Sequence, residues 1–390
     1  MLGGQVKRMM PVNIQVVKSS QDLDRLCPVW DEVAKTNTTS PPWTTYEWFS
    51  SWYYASSEAI SPYIILFLEN GKPIGLAPLI RTVVRHYGMS FVQLGFISDT
   101  NPNEMIIGQS DQARCVAALF SHLYEVENEW DVLKLRGLRR QSTTSQLLEV
   151  FLQKGGRRWI WDNSIESPYL PIETDWENYY KNLSKNLRNS VRRGIKDIQT
   201  CRTLKTLDYS TPDRVDAGIE IIYEISERSW QAQEGTDISS GTDGRFYATF
   251  AKAAADRGWL NLKILFLDDH PIAFEYNICF GGAVYELKSG YDLTYRQFSP
   301  GKILMRYNIE YFISNQFREI DFMGAADEYK LQWTKLVRPY SNLWMYAQKK
   351  KPTVHYFIRA KIISQLRSYK ALEKFQRKLG RLMSRSDTQQ

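Results

Sequence analysis

An internal repeat constrains what this 390-residue chain can fold into more than any other feature of its sequence. Residues 64–78 read IILFLENGKPIGLAP, and residues 264–276 read ILFLDDHPIAFEY. Each copy contains an apolar run, a turn that includes an acidic residue and a second apolar run, which is the pattern of a β-hairpin. This similarity indicates two copies of one structural unit, about two hundred positions apart.

The elements that follow each hairpin repeat in the same order. The first copy continues through a helical stretch at about 111–129 into WDVLKLRGL at 130–138. The second copy continues through a helical stretch at about 301–316 into REIDFMG at 318–324. Hairpin, helix and strand, found twice, predict an α/β (α+β layered) fold of two tandem domains, each a mixed sheet flanked by helices.

The domain limits follow from local composition. The turn-rich stretch DNSIESP at 162–168 precedes a helical pattern, which predicts a boundary near Ser167 and Pro168. We predict a frayed N-terminus at 1–12, an N-terminal domain at 13–168, a C-terminal domain at 169–349 and a basic amphipathic helical tail at 350–390.

Positive charge is concentrated in that tail. Residues 349–390 carry twelve Lys and Arg side chains against two acidic ones, which leaves the rest of the chain with a balance of −3. A near-neutral body argues against a general nucleic-acid binder. Apolar residues recur about every 3.4 positions along the tail, so we predict a helix to about Ser384. This helix would dock on its own domain or on a partner protein, and an anionic membrane surface is the alternative.

Several protein classes have no support in the sequence. The four cysteines are far apart and the four histidines form no metal or triad pattern, so we expect no disulfide framework and no metal. The motifs of P-loop ATPases, serine hydrolases and dinucleotide-binding enzymes are missing. The N-terminus has no apolar signal region, and no eighteen apolar residues run together. We therefore expect a cytoplasmic protein, at most peripheral at the inner face of the membrane.

The most informative local pattern is a strand followed by Ser299-Pro300-Gly301-Lys302 and an apolar-periodic helix. Ser299 suits a helix N-cap, Pro300 suits the first helical position, and Gly301 lets a ligand approach the backbone. Taken alone, the pattern fits routine helix capping. The amides and dipole of such a helix end also suit an anion, to which Lys302 adds a positive charge.

The order of strand, loop, helix and parallel strand, with several residues around it, resembles one known family. The residues that carry the resemblance are Tyr285, Lys288, Gly290-Tyr291-Asp292, Ser299-Pro300-Gly301-Lys302, Asp321-Phe322 and Glu328-Tyr329-Lys330-Leu331-Gln332-Trp333, with the aromatic segment PPWTTYEWFSSW at 41–52. Over roughly 40–349 the chain is similar to the tandem-GNAT, FemAB-like acyltransferases, especially the CelD/BcsL-type acetyltransferases associated with cellulose and exopolysaccharide synthesis. The resemblance implies that Ser299, Gly301 and Lys302 bind the pyrophosphate of acetyl-CoA or another acyl-CoA as co-substrate.

The first repeat lacks the corresponding loop. It has Gly108-Gln109-Ser110-Asp111 at this place, and Asp111 would repel a pyrophosphate. Capping of the following helix by Ser110 or Asp111 explains these residues. We therefore expect one acyl-CoA site, in the C-terminal domain.

A basic segment lies near the start of the C-terminal domain. Residues 181–196 hold six basic and no acidic side chains. On one helix, five of them would form a single stripe: Lys181, Lys185, Arg188, Arg192 and Lys196. The stripe is either a solvated helix face or a contact for an anionic substrate or the CoA phosphates. A similar helix in FemAB-like proteins makes the second interpretation about as well supported as the first. Arg188 and Arg192 are our substrate-binding candidates here.

Acyl transfer needs a base near the nucleophile and a proton source for the departing thiolate. In the hairpin closed by Gly281-Gly282, we expect Asn277 to face Glu286 and Glu275 to face Lys288. Glu275 and Lys288 are then candidates for the base and a substrate-orienting group. Opposite charges across a hairpin also stabilise a sheet without any catalytic role.

Three further candidates follow that strand. Tyr291 and Asp292 lie just past it, where Tyr291 could donate a proton or the pair could form turn packing. Asp321 lies in the last strand of the repeat and would need a partner if buried, for which we expect Lys330. Lys330 and Trp333 of the family-like YKLQW segment complete the substrate-binding candidates.

Together these observations predict transfer of an acyl group, most simply acetyl, to an amine or hydroxyl of a sugar or polysaccharide precursor. The acceptor class, a small molecule or a glycan, rests on the resemblance. One alternative is a FemAB-like, aminoacyl-tRNA-dependent peptidoglycan transferase, in which the basic stripe and tail bind tRNA. The other is a non-catalytic scaffold of a polysaccharide-synthesis complex that is anchored by the tail.

Overall fold

A computed structural model describes residues 11–35, 41–56, 59–98, 103–108, 110–162, 165–199, 202–229, 238–239 and 241–362. Its strands are β1 Asn13–Val17, β2 Ile60–Glu69, β3 Lys72–His86, β4 Met89–Phe96, β5 Ile106–Ile107, β6 Val132–Arg139, β7 Arg158–Trp161, β8 Ile165–Pro171, β9 Leu204–Asp208, β10 Leu260–Leu267, β11 His270–Phe280, β12 Ala283–Tyr291, β13 Glu319–Asp321 and β14 Val337–Tyr346. Its α-helices are α1 Ser20–Asp24, α2 Cys27–Lys35, α3 Tyr46–Ala55, α4 Gln112–Glu125, α5 Thr143–Lys154, α6 Trp176–Asn182, α7 Lys185–Gln199, α8 Val215–Glu227, α9 Gly241–Asp256, α10 Pro300–Ser314 and α11 at 350–362. Short 3-10 helices cover Pro42–Thr44, Glu127–Glu129, Leu293–Phe298 and Lys330–Gln332.

The repeat detected in the sequence is visible in the strand order. Strands β2 and β3 form one antiparallel hairpin, and β10 and β11 form the other. In each half a helix then connects two parallel strands, α4 between β4 and β6 and α10 between β12 and β13. The predicted mixed sheet with flanking helices is confirmed.

The two halves of the sheet are joined by an exchange of strands. β14, from the end of the chain, pairs with β6 of the first half, and β8 pairs with β13 of the second half. β8 and β14 also pair with each other, so that one continuous sheet runs from β1 to β9. The turn predicted for 162–168 is a strand from Ile165 onward because it pairs with β14. The predicted limit after residue 168 lies within β8.

The aromatic segment at 41–52 crosses between the halves. Its second part is α3, which begins after Thr45, whose hydroxyl accepts a hydrogen bond from Trp48 N. The rings of Trp48 pack edge-to-face against Phe246 and Phe250 of α9, with centroids 4.8 and 5.0 Å apart. Trp43 contacts Tyr285 of β12 in the same way, at 5.0 Å. Aromatic side chains from the first half thus complete the apolar core of the second.

The basic segment is not one helix. Leu183 has an extended backbone (φ −66°, ψ 156°), and the Ser184 hydroxyl accepts a hydrogen bond from Leu187 N, so α6 ends and α7 begins here. Lys181 therefore lies on α6, whereas the other four stripe residues lie on α7. The apolar side of α7, which includes Leu187 and Val191, packs on the core beside α10.

The C-terminal helix α11 packs against the sheet through fully buried His355. Its neighbours include the rings of Phe91, Trp344 and Tyr346. The predicted helix thus begins at 350, while its continuation past 362 and the frayed segment at 1–10 fall outside the described residues. Within the described part of the chain, no helix has both the length and the apolar character to cross a membrane.

Candidate functional site

A cavity of about 390 Å³ opens at the C-terminal end of β12. Its lining includes six of the predicted site residues, namely Glu275, Tyr291, Ser299, Gly301, Lys302 and Trp333. Phe274, Ser289, Gly290, Arg296, Met305 and Tyr329 complete the lining. The lining contains two basic side chains, Arg296 and Lys302, and apolar ones such as Phe274 and Met305, so the cavity suits a ligand that is part anionic and part apolar.

The cavity exists because β12 and β13 separate. They pair only between Ala283–Tyr285 and Glu319–Asp321, and β12 then runs on alone to Tyr291. Tyr329 and Trp333, from the chain that follows β13, lie against the exposed edge. Beyond Tyr285, β12 has no hydrogen-bonded partner on the side of β13. The gap between the two diverging strands leaves space for a ligand.

The loop Ser299–Lys302 forms one wall. Ser299 has φ 55° and ψ 50°, in the left-handed region that non-glycine residues rarely occupy. It is the N-cap residue of α10 and Pro300 is the first helical residue, as predicted, but the Ser299 side chain makes no capping hydrogen bond. The left-handed backbone instead brings its hydroxyl to 3.5 Å from that of Ser190 on α7.

The loop fits an anionic group. A Cβ atom at Gly301 would meet only Tyr291, at an ordinary contact distance of 3.4 Å, so the backbone here is open to the cavity. Lys302 and Arg296 line the same wall, and the positive end of the α10 dipole points toward it. These residues would hold a diphosphate.

Helix α7 is pressed against this loop. A Cβ at Gly194 would lie 2.1 Å from the Phe298 carbonyl oxygen, so that only glycine allows this contact. Arg192 is exposed and lines a shallow groove with Lys196 on the outer side of α7, outside the cavity. Arg188 is half-buried on the same helix and is not among the cavity-lining residues.

Glu275 lies at the base of the cavity and is 4% exposed. Its Oε2 accepts a hydrogen bond of 2.5 Å from Asn308 Nδ2 on α10, while its Oε1 is buried without a partner among the described residues. Burial and the nearby Glu286 carboxylate raise the pKa of Glu275 well above its ordinary value. Glu275 therefore holds a proton at a pH where an exposed glutamate has lost it.

The expected contact between Glu275 and Lys288 is wrong. A β-bulge between Tyr276 and Asn277 shifts the register, so that Glu275 pairs with Ser289 and Lys288 pairs with Tyr276. The expected pair of Asn277 and Glu286, on the other side of the bulge, is confirmed. Lys288 does not line the cavity, and its ammonium group lies 5.3 Å from the centre of the Tyr247 ring.

The fold adds two site residues that sequence reasoning did not select. Glu286 is 5% exposed, accepts a hydrogen bond of 2.8 Å from Ser289 and has a pKa raised mainly by burial. Tyr329 lines the cavity, and burial of its hydroxyl and the Glu286 charge raise its pKa, so the phenol stays protonated. Tyr329 had appeared only within the family-like segment, and Glu286 only as a partner across the hairpin.

Asp292 and Asp321 lie elsewhere. Asp292 is buried, caps the Leu293–Phe298 helix through Thr294 N and pairs with Arg228 at 2.9 Å. Asp321 is fully buried and pairs with Arg338 of β14 at 3.4 Å, so its expected partner Lys330 is wrong. The strand exchange explains this, because it places β14 next to β8, which in turn pairs with β13, the strand that carries Asp321.

Lys330 closes the turn that follows β13. Its ammonium donates hydrogen bonds to the carbonyl oxygens of Met323 (2.9 Å) and Ala325 (3.4 Å) and pairs with Asp327. Its positive charge lowers the pKa of Glu286, against the effect of burial. Lys330 thus acts on the cavity through the segment it fixes and through its charge.

A second cavity, of about 630 Å³, lies where the halves meet. It begins at Tyr285 and Asp321, the last paired residues before β12 and β13 separate. Its lining includes three arginines, three carboxyl groups and four aromatic rings: Arg139, Arg318, Arg338, Glu104, Glu319, Asp321, Trp43, Tyr169, Tyr285 and Tyr340. Such a surface suits a polar ligand with many hydrogen-bonding groups.

One group of metal-capable side chains occurs within the described residues, far along the chain from either wall of the first cavity. It consists of Cys27, Asp31 and Glu47. The Arg257 guanidinium pairs with both carboxylates, with Asp31 at 3.0 Å, and so already supplies a cation there.

The comparisons with known proteins agree with this geometry. Residues 185–331, from α7 to the 3-10 helix after β13, match a family described as "Acetyltransferase (GNAT) domain". The fold of this part is a GNAT acyltransferase fold. The matched part contains both Glu275 and the loop Ser299–Lys302, and acyl-CoA is the usual co-substrate of GNAT domains.

The similarity to solved structures covers most of the chain. FemX is similar with 12% identity and a TM-score of 0.57, over 84% of this chain and 96% of FemX. The C-terminal domain (DUF2156) of a putative lysylphosphatidylglycerol synthetase from Agrobacterium fabrum has 9% identity and a TM-score of 0.52, over 87% of this chain and 96% of that domain. A tandem GNAT protein from the clavulanic acid biosynthesis pathway has 12% identity and a TM-score of 0.48, over 87% and 100% of the two chains. A search of curated protein sequences gives no significant match.

The corresponding helix start in the first half is acidic. Asp111 precedes α4 and pairs with Arg114 at 2.8 Å, and Arg114 also pairs with Glu69. Asp111 makes no side-chain capping hydrogen bond, so the predicted cap is wrong for this residue, because its carboxylate is directed to Arg114. The two carboxylates leave no net positive charge for a diphosphate here.

Proposed function

We propose that the protein is an acyl-CoA-dependent acyltransferase that transfers an acyl group, most simply acetyl, to an amine or hydroxyl of a sugar or polysaccharide precursor. One observation supports this above all others: a single cavity is lined both by the start of α10, which suits an anion, and by Glu275, a buried carboxyl group whose pKa is raised by burial and by Glu286. The match of residues 185–331 to a GNAT domain supports the same chemistry. The finer CelD/BcsL-type assignment remains part of the proposal.

Different lining residues of the cavity would bind different parts of acyl-CoA. Lys302, Arg296 and the start of α10 would hold the diphosphate, with Ser299 and Gly301 forming the floor of the loop. Phe274, Met305 and Trp333 would contact the apolar part of the pantetheine arm. The bound co-substrate supplies the activated thioester, and the site would hold its carbonyl near Glu275.

The carboxyl pair would move the proton. Glu275 and Glu286 share one buried region and titrate as a pair, so one proton is retained between them at a pH where separate glutamates are ionised. The ionised member would accept the proton of the attacking amine or hydroxyl. The Tyr329 phenol, protonated and at the cavity wall, would donate to the departing thiolate.

The second cavity is our proposed acceptor site. Tyr285 and Asp321, the last paired residues of β12 and β13, line it, and residues farther along β12 line the first cavity. The aromatic rings offer flat faces for a sugar, and the Arg338 guanidinium, fixed by Glu319 at 2.7 Å, offers donors to hydroxyl groups. Residues of both halves line this cavity, which gives the first half a role in acceptor binding.

A thiol-release assay tests the proposal. Purified protein is incubated with acetyl-CoA and a panel of amino sugars, neutral sugars and nucleotide sugars, and free CoA is measured. We expect acceptor-dependent CoA release that falls about 100-fold in Glu275→Gln. The matched control is Glu220→Gln, an exposed glutamate on α8. Acceptor-dependent release that is unchanged in Glu275→Gln would contradict the assigned role of the pair.

One alternative retains a specific observation in its favour. The outer side of α7 carries exposed Lys185, Arg192, Arg193 and Lys196, which an RNA phosphate backbone could contact. A FemAB-like transferase that uses aminoacyl-tRNA would then bind with a steep dependence on salt. Tight binding of charged tRNA, with no binding of any CoA, would favour this alternative.

A further inference from the structure

The outer face of α11 has no role in the proposed chemistry and remains exposed although the helix is docked. His355 is fully buried on the inner side, and Tyr356 packs beside Tyr346. On the other side Val354 is 48% exposed and Phe357 is 58% exposed. Packing against its own sheet therefore uses only one side of this helix.

Positive charge surrounds these exposed apolar side chains. Val354, Phe357 and Lys361 follow each other at helical spacing, so they share one face, and Lys350 lies one turn before Val354. All four are exposed. The Arg158 guanidinium lies 5.6 Å from the centre of the Phe357 ring. We name Lys350, Val354, Phe357 and Lys361 the outer face of α11.

We infer that the outer face of α11 binds an anionic lipid bilayer surface, with the apolar side chains inserted between headgroups and the lysines at their phosphates. Charge complementarity supports this occupant. The 28 residues after 362, at 363–390, carry seven basic and two acidic side chains. Near an anionic membrane, each basic residue strengthens binding about fivefold.

The exposed apolar side chains of this helix also suit a bilayer surface. Over residues 350–362 the large ones are Val354, Phe357 and Ile362, and exposed lysines lie among them. Shallow insertion of a few apolar side chains combined with basic charge is sufficient at a lipid surface.

Vesicle flotation tests the inference on the full chain. Vesicles of 70% phosphatidylcholine and 30% phosphatidylglycerol are compared with pure phosphatidylcholine at about 0.15 M salt. We expect binding to the anionic vesicles alone, weakened at high salt. The double variant Val354→Ser/Phe357→Ser should bind at least about tenfold more weakly, because it loses the inserted apolar area but no charge. The control is Val150→Ser, which removes a similarly exposed valine from α5.

The outcomes separate the occupants. No binding to the anionic vesicles, or equal binding to both lipids, would overturn the inference. Unchanged binding of the double variant would also overturn it, since the tail charge would then act without the outer face. Concentration-dependent dimerisation that the double variant abolishes, without vesicle binding, would assign the face to a second copy of the chain.

Discussion

Acidification should weaken the fold through one buried imidazole, that of His355. Burial, His86 and Arg359 lower its pKa from about 6.5 to about 4. Both ring nitrogens are buried without hydrogen-bond partners among the described residues. The neutral form is therefore kept in the folded protein, whereas the unfolded chain takes up a proton once the pH falls below about 6.5.

The size of the effect follows from this difference in pKa. Stability contributed by neutral His355 is fully present above pH 6.5 and is lost as the pH falls toward 4. At pH 5 the gap of about 1.5 units corresponds to about 2 kcal/mol, and below pH 4 the loss reaches about 3 kcal/mol. Burial also lowers the pKa of His86, which lies in the same cluster and is left unchanged in the test.

The test compares urea unfolding of the natural chain and His355→Phe at pH 7 and pH 5. The variant should lose about 2 kcal/mol less on acidification, because phenylalanine has no proton to gain. Differences in packing cancel, since each protein is compared with itself. His270→Phe, which replaces an exposed histidine, should behave like the natural chain. Equal pH dependence in His355→Phe and the natural chain would refute the reasoning.

Three further predictions concern the cavities. Gly194→Ala should weaken CoA binding and lower the free energy of unfolding by about 1–3 kcal/mol, because its Cβ would overlap the Phe298 carbonyl. Calorimetry measures the binding and urea unfolding measures the stability, with Arg193→Ala at the exposed neighbouring position as the control. Asn308→Ala should move the rising limb of the pH–rate profile to higher pH, because the amide stabilises ionised Glu275. A limb that does not shift would show that ionisation of Glu275 does not control the rate. Arg338→Met should destabilise the fold by about 3–5 kcal/mol, since it leaves the carboxyl groups of Glu319 and Asp321 without their cation, and a loss below 1 kcal/mol in urea unfolding would contradict that role.

The parts of the fold that depend on local pattern could be predicted. The two hairpins and the helix after each are local structures whose apolar periodicity is visible in the chain, and the turn at Gly281-Gly282 has positive φ angles at both residues. The helix start at Pro300 was accessible for the same reason.

Long-range pairing could not be predicted in this way. The exchange of β8 and β14 joins strands separated by about 170 positions, and no local pattern records it. This exchange makes Arg338 the partner of Asp321, whereas the sequence pattern had predicted Lys330. One extra residue in β12, Leu287, forms the bulge that separated Glu275 from Lys288.

Part of the candidate site could be predicted from the sequence. Ser299, Gly301 and Lys302 are adjacent in sequence, so their pattern carried the prediction. Glu286 and Tyr329 meet only because β12 separates from β13 and the later chain returns to its free edge. A buried carboxyl pair of this kind has no signature in a single sequence, since its pKa depends on burial that the fold creates.

The central claim, a CoA site at the loop of Ser299–Lys302, is tested most directly by calorimetry. The purified chain is titrated with acetyl-CoA, free CoA and 3′-dephospho-CoA, and the titrations are repeated with Lys302→Glu and with Gly301→Asp. We predict binding of acetyl-CoA at micromolar concentration that both variants abolish, since each places a carboxylate against the diphosphate. A folded protein that binds none of the three ligands, or variants that bind as the natural chain does, would contradict the account.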